Sequence, residues 1–86
     1  MKAQKAYYLG SPKIVAKFIS QARTKGFGIE ENSRDYTIRM NPTSGIYSGE
    51  IIDKRYLIVF TEDERMNSAY NESVSKLQKL AEEFKK

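Results

Sequence analysis

The chain has 86 residues, of which 40% are hydrophobic and 30% are charged. This composition predicts one small globular domain over residues 1–86 and excludes disordered and membrane-spanning chains, because no apolar run approaches the roughly 20 residues that a spanning helix needs. Histidine and cysteine are both absent. Their absence removes the commonest general base, the thiolate nucleophile, disulfide bonds and most transition-metal ligands.

The net charge of +4 is distributed unevenly along the chain. Residues 1–29 carry six Lys or Arg and no acidic residue, whereas residues 30–86 carry nine basic and eleven acidic residues. The excess positive charge therefore lies in the first third. The N-terminus also lacks the apolar stretch of a signal peptide, so we expect a cytoplasmic protein that does not bind membranes.

The first two predicted elements are a strand and a helix. Residues 5–9 have the aromatic content of a strand. Ser11 can cap a helix and Pro12 suits its first position, because proline lacks the amide hydrogen that has no partner there. The next apolar residues recur on one helical face: Ile14, Val15, Phe18, Ile19 and Ala22. Gly26 favours the left-handed conformation that ends helices, so this helix should end near residue 25.

Four further strands are predicted, over residues 27–31, 36–40, 46–52 and 56–60. The last of them, Tyr-Leu-Ile-Val-Phe, is apolar on both faces and should occupy a central position in the sheet. We expect Tyr36 and Tyr56 to be buried. One of Tyr7 and Tyr8 must point away from the helices, because side chains alternate along a strand.

A second helix should begin near Thr61, because Thr61 and Glu64 have the spacing of a capping box. An apolar stripe continues from there to the C-terminus: Met66, Tyr70, Val74, Leu77, Ala81 and Phe84. Asn67, Ser68 and Asn71 are poor helix formers. Residues 61–85 could therefore form one helix or two.

These elements predict an α+β fold in the order β-α-β-β-β-β-α. A right-handed crossover should make the first two strands parallel, and the later strands should form an antiparallel meander. We therefore expect a mixed sheet of four or five strands with two helices packed on one face, in a loosely ferredoxin-like arrangement. The other face and one edge of the sheet would remain uncovered.

The turn before the first helix is a candidate anion site. Gly10 and Ser11 precede the positive end of the helix dipole, and Lys13 adds a charge, so the turn could bind a phosphate or carboxylate. However, Gly-Ser-Pro is also what ordinary turn and capping chemistry requires, and no glycine-rich phosphate loop is present. Capping is the better-supported interpretation.

The acidic residues suggest neither a metal site nor an active site. Acids in the first turn of a helix, such as Glu62, Asp63 and Glu64, are expected from the helix dipole, and no calcium-loop spacing connects them with Glu50 or Asp53. Without histidine, a nucleophile would need a lysine or carboxylate as its base. We therefore predict a protein without a cofactor, a metal or catalytic residues.

The hypothesis that fits these observations best is a non-enzymatic protein-binding module, regulatory or inhibitory, that acts through the open sheet face or its edge. Its positive charge favours an acidic partner, and edge pairing could also give a homodimer. The alternative is binding of RNA or single-stranded DNA through the basic N-terminal third. Both hypotheses draw on one set of candidate contact residues: Lys2, Lys5, Tyr7, Tyr8, Lys13, Lys17 and Arg39.

Overall fold

A computed structural model of the protein describes residues 4–84. The elements in chain order are β1 (Gln4–Tyr8), α1 (Pro12–Thr24), β2 (Gly28–Glu31), β3 (Tyr36–Arg39), β4 (Tyr47–Ile52), β5 (Tyr56–Phe60) and α2 (Ser68–Phe84). The predicted α+β class and order of elements are confirmed. Neither helix in this part of the chain has the length and apolar character needed to cross a membrane.

The five strands form one sheet in the order β1-β5-β4-β3-β2, and every neighbouring pair is antiparallel. The prediction of a mixed sheet is therefore wrong. β1 and β2 lie at opposite edges, because β2 begins a meander whose last strand, β5, accepts β1 on its free side. This continuous meander leaves no split β-α-β unit, so the ferredoxin-like arrangement is not confirmed.

The first helix begins and ends as its sequence predicts. Ser11 is the N-cap and its hydroxyl oxygen accepts a hydrogen bond from the Ile14 amide at 3.2 Å, while Pro12 occupies the first helical position. At the other end, Gly26 has a φ of +100° and its amide donates to the Arg23 carbonyl. Local capping chemistry therefore defines this helix at both ends.

The second helix begins later than the capping-box pattern predicts. Residues 64–66 form a turn, and Asn67 is the actual cap, because its side-chain oxygen accepts the Tyr70 amide at 2.9 Å. Asp63 instead holds the turn, with its carboxylate accepting the Arg65 amide and its own amide donating to Asn71. Asn67 and Ser68 thus mark the helix start, and one helix, not two, continues to Phe84.

Both helices cover the same face of the sheet and share one core with it. α2 packs on β4 and β5, α1 packs on β2, and the two helices contact each other. The buried apolar residues are Tyr7, Leu9, Val15, Phe18, Ile19, Ala22, Phe27, Ile38, Ile51, Leu57, Val59, Tyr70, Val74, Leu77, Leu80 and Ala81. β5 was predicted to be central; it lies between β1 and β4, one strand from the edge, and β4 is the central strand.

A β-bulge in β4 lets α2 approach the sheet closely. Ile38 pairs with Gly49 while Arg39 pairs with Tyr47, so Ser48 is an extra residue in its strand. The buried Ser48 hydroxyl forms a 2.7 Å hydrogen bond with Ser73 of α2. This bond satisfies both hydroxyl groups inside the core.

Candidate functional site

A row of large side chains crosses the face of the sheet opposite the helices. Tyr8 pairs with Tyr56, and Tyr56 pairs with Ile52, so the three residues lie side by side on β1, β5 and β4. Their exposed fractions are 66%, 45% and 37%, and the Tyr8 and Tyr56 ring centroids are 5.1 Å apart. We call these three residues the aromatic row and the face that carries them the open face.

Strand alternation explains how the sequence places this row. Tyr7 and Leu57 are buried against the helices, so their neighbours Tyr8 and Tyr56 must point to the other side. The expected burial of Tyr56 is therefore wrong. Tyr36, in contrast, lies on the helix side, half-buried against the core, as predicted.

The far end of the open face carries a compact polar cluster. The Arg39 guanidinium donates to the Glu30 carboxylate at 2.9 Å and to the Ser44 carbonyl at 3.0 Å. Arg39 also lies over the Tyr47 ring, 5.4 Å from its centroid. The hydrogen bond to Glu30 raises the pKa of Arg39 above its ordinary value, and the carboxylate compensates the positive charge.

A shallow groove of about 590 Å³ runs beside this cluster at the β2 edge of the sheet. It is open to solvent, and Phe27, Ile29 and Pro42 form its apolar part while Arg23, Glu30 and Arg39 contribute charges. Gly28 is required beneath it, because a Cβ there would lie 2.7 Å from the Pro42 Cα. The groove does not include the aromatic row.

The structure does not bring the sequence-predicted contact residues onto one surface. Tyr8 and Arg39 lie on the open face. Tyr7 is only 8% exposed and belongs to the core, so it does not lie on the open face with Tyr8. Lys5 shares the helix side of β1 with Tyr7, and Lys13 and Lys17 are exposed on α1, which covers that same side. Lys2 lies outside the described residues.

Burial changes the chemistry of the Tyr7 hydroxyl. It donates a 2.8 Å hydrogen bond to the Glu82 carboxylate of α2. Burial and this hydrogen bond raise the pKa of Tyr7 to about 12. The phenol therefore stays neutral in the folded protein at pH values where an unfolded tyrosine, with a pKa near 10, loses its proton.

This difference predicts a loss of stability in alkali. The contribution of Tyr7 is fully present below pH 10 and is lost as the pH rises towards 12, because the unfolded state releases the proton first. We expect Tyr7→Phe to reduce the slope of unfolding free energy against pH between these values. Urea titrations of both proteins from pH 8 to 11.5 would measure it. Identical slopes would contradict the assignment.

In the predicted anion site, the polar groups of Ser11 form the hydrogen bonds of the turn and of the helix cap. The Ser11 hydroxyl holds the Ile14 amide, and the Ser11 amide donates to the Leu9 carbonyl. Pro12 has no amide hydrogen, so an anion would meet chiefly the amide and side chain of Lys13. Gly10 has a φ of +88°, which the turn itself requires. These contacts support the capping interpretation.

The acidic residues do not form a metal centre in the described part of the chain. Between residues 4 and 84, no group of three or more carboxylates comes close enough together to hold an ion. Asp63 instead pairs with Arg65 at 3.1 Å. Asp53 pairs with Arg34, and Glu31 with Lys54.

Sequence analysis missed three exposed residues on the open face: Ile52, Tyr56 and Tyr47. For Ile52 and Tyr56, a usable signal exists in the sequence. They flank the polar turn Asp53-Lys54-Arg55 of the β4–β5 hairpin. The two residues that flank a hairpin turn lie opposite each other and on the same face of the sheet. For Tyr47, the bulge at Ser48 shifts the alternation of side chains between the two faces of the sheet. No feature of the sequence predicts that bulge.

Comparisons with known proteins found no match: no family model, no curated protein and no solved structure resembles this chain significantly.

Proposed function

We propose that this domain is a non-enzymatic protein-binding module with a regulatory or inhibitory role, and that it contacts its partner through the open face. The observation that carries the proposal is the aromatic row, which exposes two tyrosines and an isoleucine on one face of the sheet. Exposed tyrosines that present a large apolar area at low conformational cost are typical binding hot spots.

The position of the core supports the same proposal. All packing between helices and sheet occurs on the opposite face, so the open-face side chains contribute little to folding. Large apolar side chains that remain exposed without a packing role often mark an interaction surface. The half-buried Ile58 extends the apolar area along β5.

The distribution of charge makes nucleic-acid binding the weaker candidate. A phosphate backbone needs several cations along the surface that also stacks the bases. Lys5, Lys13 and Lys17 lie on the helix side of the sheet, while Arg39 is already paired with Glu30. In a protein complex, the cations of α1 would serve instead to steer the domain towards an acidic partner.

The test compares two double variants that both change exposed side chains. Tyr8→Ala with Tyr56→Ala removes most of the aromatic row, whereas Lys13→Ala with Lys17→Ala changes the opposite side of the molecule. Each variant should fold, because these side chains lie outside the core. Immobilised wild-type and variant domains would be exposed to extract of the producing cells, and captured proteins quantified by mass spectrometry.

We expect the tyrosine variant to retain less than a tenth of a specific captured protein, because hot-spot truncations cost about 2 kcal/mol or more. The lysine variant should retain most of it. Isothermal titration with the purified partner would then give both affinities. Loss of capture in the lysine variant alone would overturn the proposal. So would tight binding of fluorescent single-stranded RNA or DNA that weakens steeply with salt.

A further inference from the structure

We propose that two copies of this chain pair antiparallel through their β1 strands and form one continuous sheet. This inference concerns the edge of the sheet and goes beyond the proposed function, which concerns its face. Four observations carry it: an uncovered edge, outward backbone groups, a self-complementary register and a charge pair across the new interface.

The first observation is that the two sheet edges differ. At the β2 edge, Arg23 of α1 donates to the Ile29 carbonyl at 3.4 Å, and α1 packs on the strand. Glu30 and Glu31 on β2 would also bring like charges together if two such edges met. The β1 edge has β5 on one side, and the helices pack mainly on other strands. Among residues 4–84, β1 is therefore the edge that is available for pairing.

The second observation is the direction of the β1 backbone groups. The Leu9 amide donates to the Arg55 carbonyl at 2.9 Å, directly after the pair Tyr8 and Tyr56. In an antiparallel ladder, residues alternate between bonding inward and outward. The backbone N–H and C=O groups of Tyr7 and Lys5 consequently form hydrogen bonds with β5. Those of Gln4, Ala6 and Tyr8 lie in the plane of the sheet and point outward from its free edge.

The third observation is that a two-fold axis through Ala6 satisfies all of these groups. Ala6 then pairs with Ala6 of the second copy, and Tyr8 pairs with Gln4, so every outward-pointing residue exchanges both of its hydrogen bonds. The axis is perpendicular to the sheet, and the helices of both copies lie on one side. Ala6 is exposed and small enough for the strands to approach closely.

Other two-fold registers are less favourable. A shift of the axis to Lys5 places two ammonium groups opposite each other. A shift to Tyr7 leaves Gln4 unpaired. The Ala6 register therefore pairs every residue of β1 from Gln4 to Tyr8 and avoids the repulsion between lysines.

The fourth observation is charge complementarity in this register. Lys5 lies opposite Tyr7 of the second copy on the helix side of the sheet. The Tyr7 hydroxyl is 2.8 Å from the Glu82 carboxylate, which is exposed. The lysine is long enough to reach this carboxylate, since directly opposed Cβ atoms are about 5 Å apart. Symmetry repeats the ion pair on the other side of the axis.

Pairing through β1 would also join the two open faces. Tyr8 lies beside the new interface, so the aromatic rows of both copies become parts of one surface. A single strand buries little area, and interfaces below about 1,200 Å² are usually weak. We therefore expect a micromolar dimer that a partner spanning both open faces would strengthen.

The first experiment measures dimerisation of the full chain by sedimentation velocity, from micromolar to millimolar concentration. We expect Lys5→Glu to weaken the dimer about tenfold, since it replaces two attractive contacts with repulsive ones. Glu82→Lys should weaken it similarly, and the double variant should restore most of the affinity. Lys17→Glu on the exposed side of α1 is the control and should leave the dimer intact. A wild-type chain that stays monomeric throughout would overturn the inference.

The second experiment uses the absence of cysteine. Ala6→Cys introduces one thiol, and directly opposed residues in this register have Cα atoms about 5.5 Å apart, which suits a disulfide. We expect mild oxidation to give a covalent dimer. Ala16→Cys on the exposed side of α1 should remain monomeric. Equal crosslinking of both variants would overturn the register.

These outcomes are separate from those that test the proposed function. Lys5 and Glu82 lie on the helix side, so Lys5→Glu leaves the aromatic row unchanged. Partner capture that persists in a monomeric Lys5→Glu variant would support the proposed function while showing that it does not depend on dimerisation. Conversely, Tyr8→Ala with Tyr56→Ala can lose its partner while Ala6→Cys still forms the covalent dimer.

Discussion

Gly49→Ala is expected to destabilise the domain by about 3 kcal/mol, the upper end of overpacking costs in a tightly packed core. A Cβ at this position would overlap the Ile58 carbonyl oxygen and would lie 3.1 Å from the Leu77 Cδ2. The leucine could move, but the carbonyl belongs to the neighbouring strand β5 and cannot shift without distorting the sheet. The loss is a large fraction of the roughly 4–13 kcal/mol expected for a chain of this size.

Thermal unfolding followed by circular dichroism would measure this effect, and a decrease in Tm of roughly 10–25 °C is expected. Gly45→Ala is the matched control, because a Cβ at Gly45 has no atom within 4 Å. It should change stability by less than about 0.5 kcal/mol. Similar losses in both variants would show that β4 and α2 do not approach as closely as described.

Phe18→Ala is expected to cost about 3–5 kcal/mol, as for other fully buried phenylalanines. Phe18 is completely buried on α1, and its ring packs edge-on against Phe84 of α2, with the centroids 5.5 Å apart. Truncation removes this contact and leaves a cavity where the two helices meet.

Urea denaturation would measure the loss of unfolding free energy from Phe18→Ala. Lys17→Ala, one residue away on the solvent side of α1, should change it by less than about 0.5 kcal/mol. Phe18→Leu should fall between the two, since it keeps part of the buried volume. A loss below about 1 kcal/mol in Phe18→Ala would contradict the packing described between the helices.

The elements that could be predicted from sequence are those defined by neighbouring residues. Ser11, Pro12 and Gly26 act within one turn of their own helix, so α1 follows directly from the sequence. The two apolar faces of residues 56–60 correctly indicate an interior strand. The predicted start of α2 was wrong because Thr61 and Asn67 are both possible N-caps. The choice between them depends on contacts of Asp63 with Asn71.

Strand pairing between distant residues could not be predicted in the same way. β1 pairs with β5, about 50 residues away, and no local pattern distinguishes this pairing from one with β2. The prediction of the candidate site was incomplete for the same reason, because the exposure of its residues depends on tertiary packing. The alternation of side chains indicates that one of Tyr7 and Tyr8 faces outward but not which one, and Tyr56 lies in a strand that is apolar on both sides. Which side the helices cover decides its exposure.

The one-sided core has a consequence for how this protein can change over generations. Because the helices stabilise only one face of the sheet, substitutions at every second strand position can alter the open face at little cost to folding. Positions such as Tyr8, Ile52 and Tyr56 can therefore vary while Leu57, Ile51 and the helices preserve the fold. The architecture thus separates the exposed residues of the aromatic row from the residues that stabilise the fold.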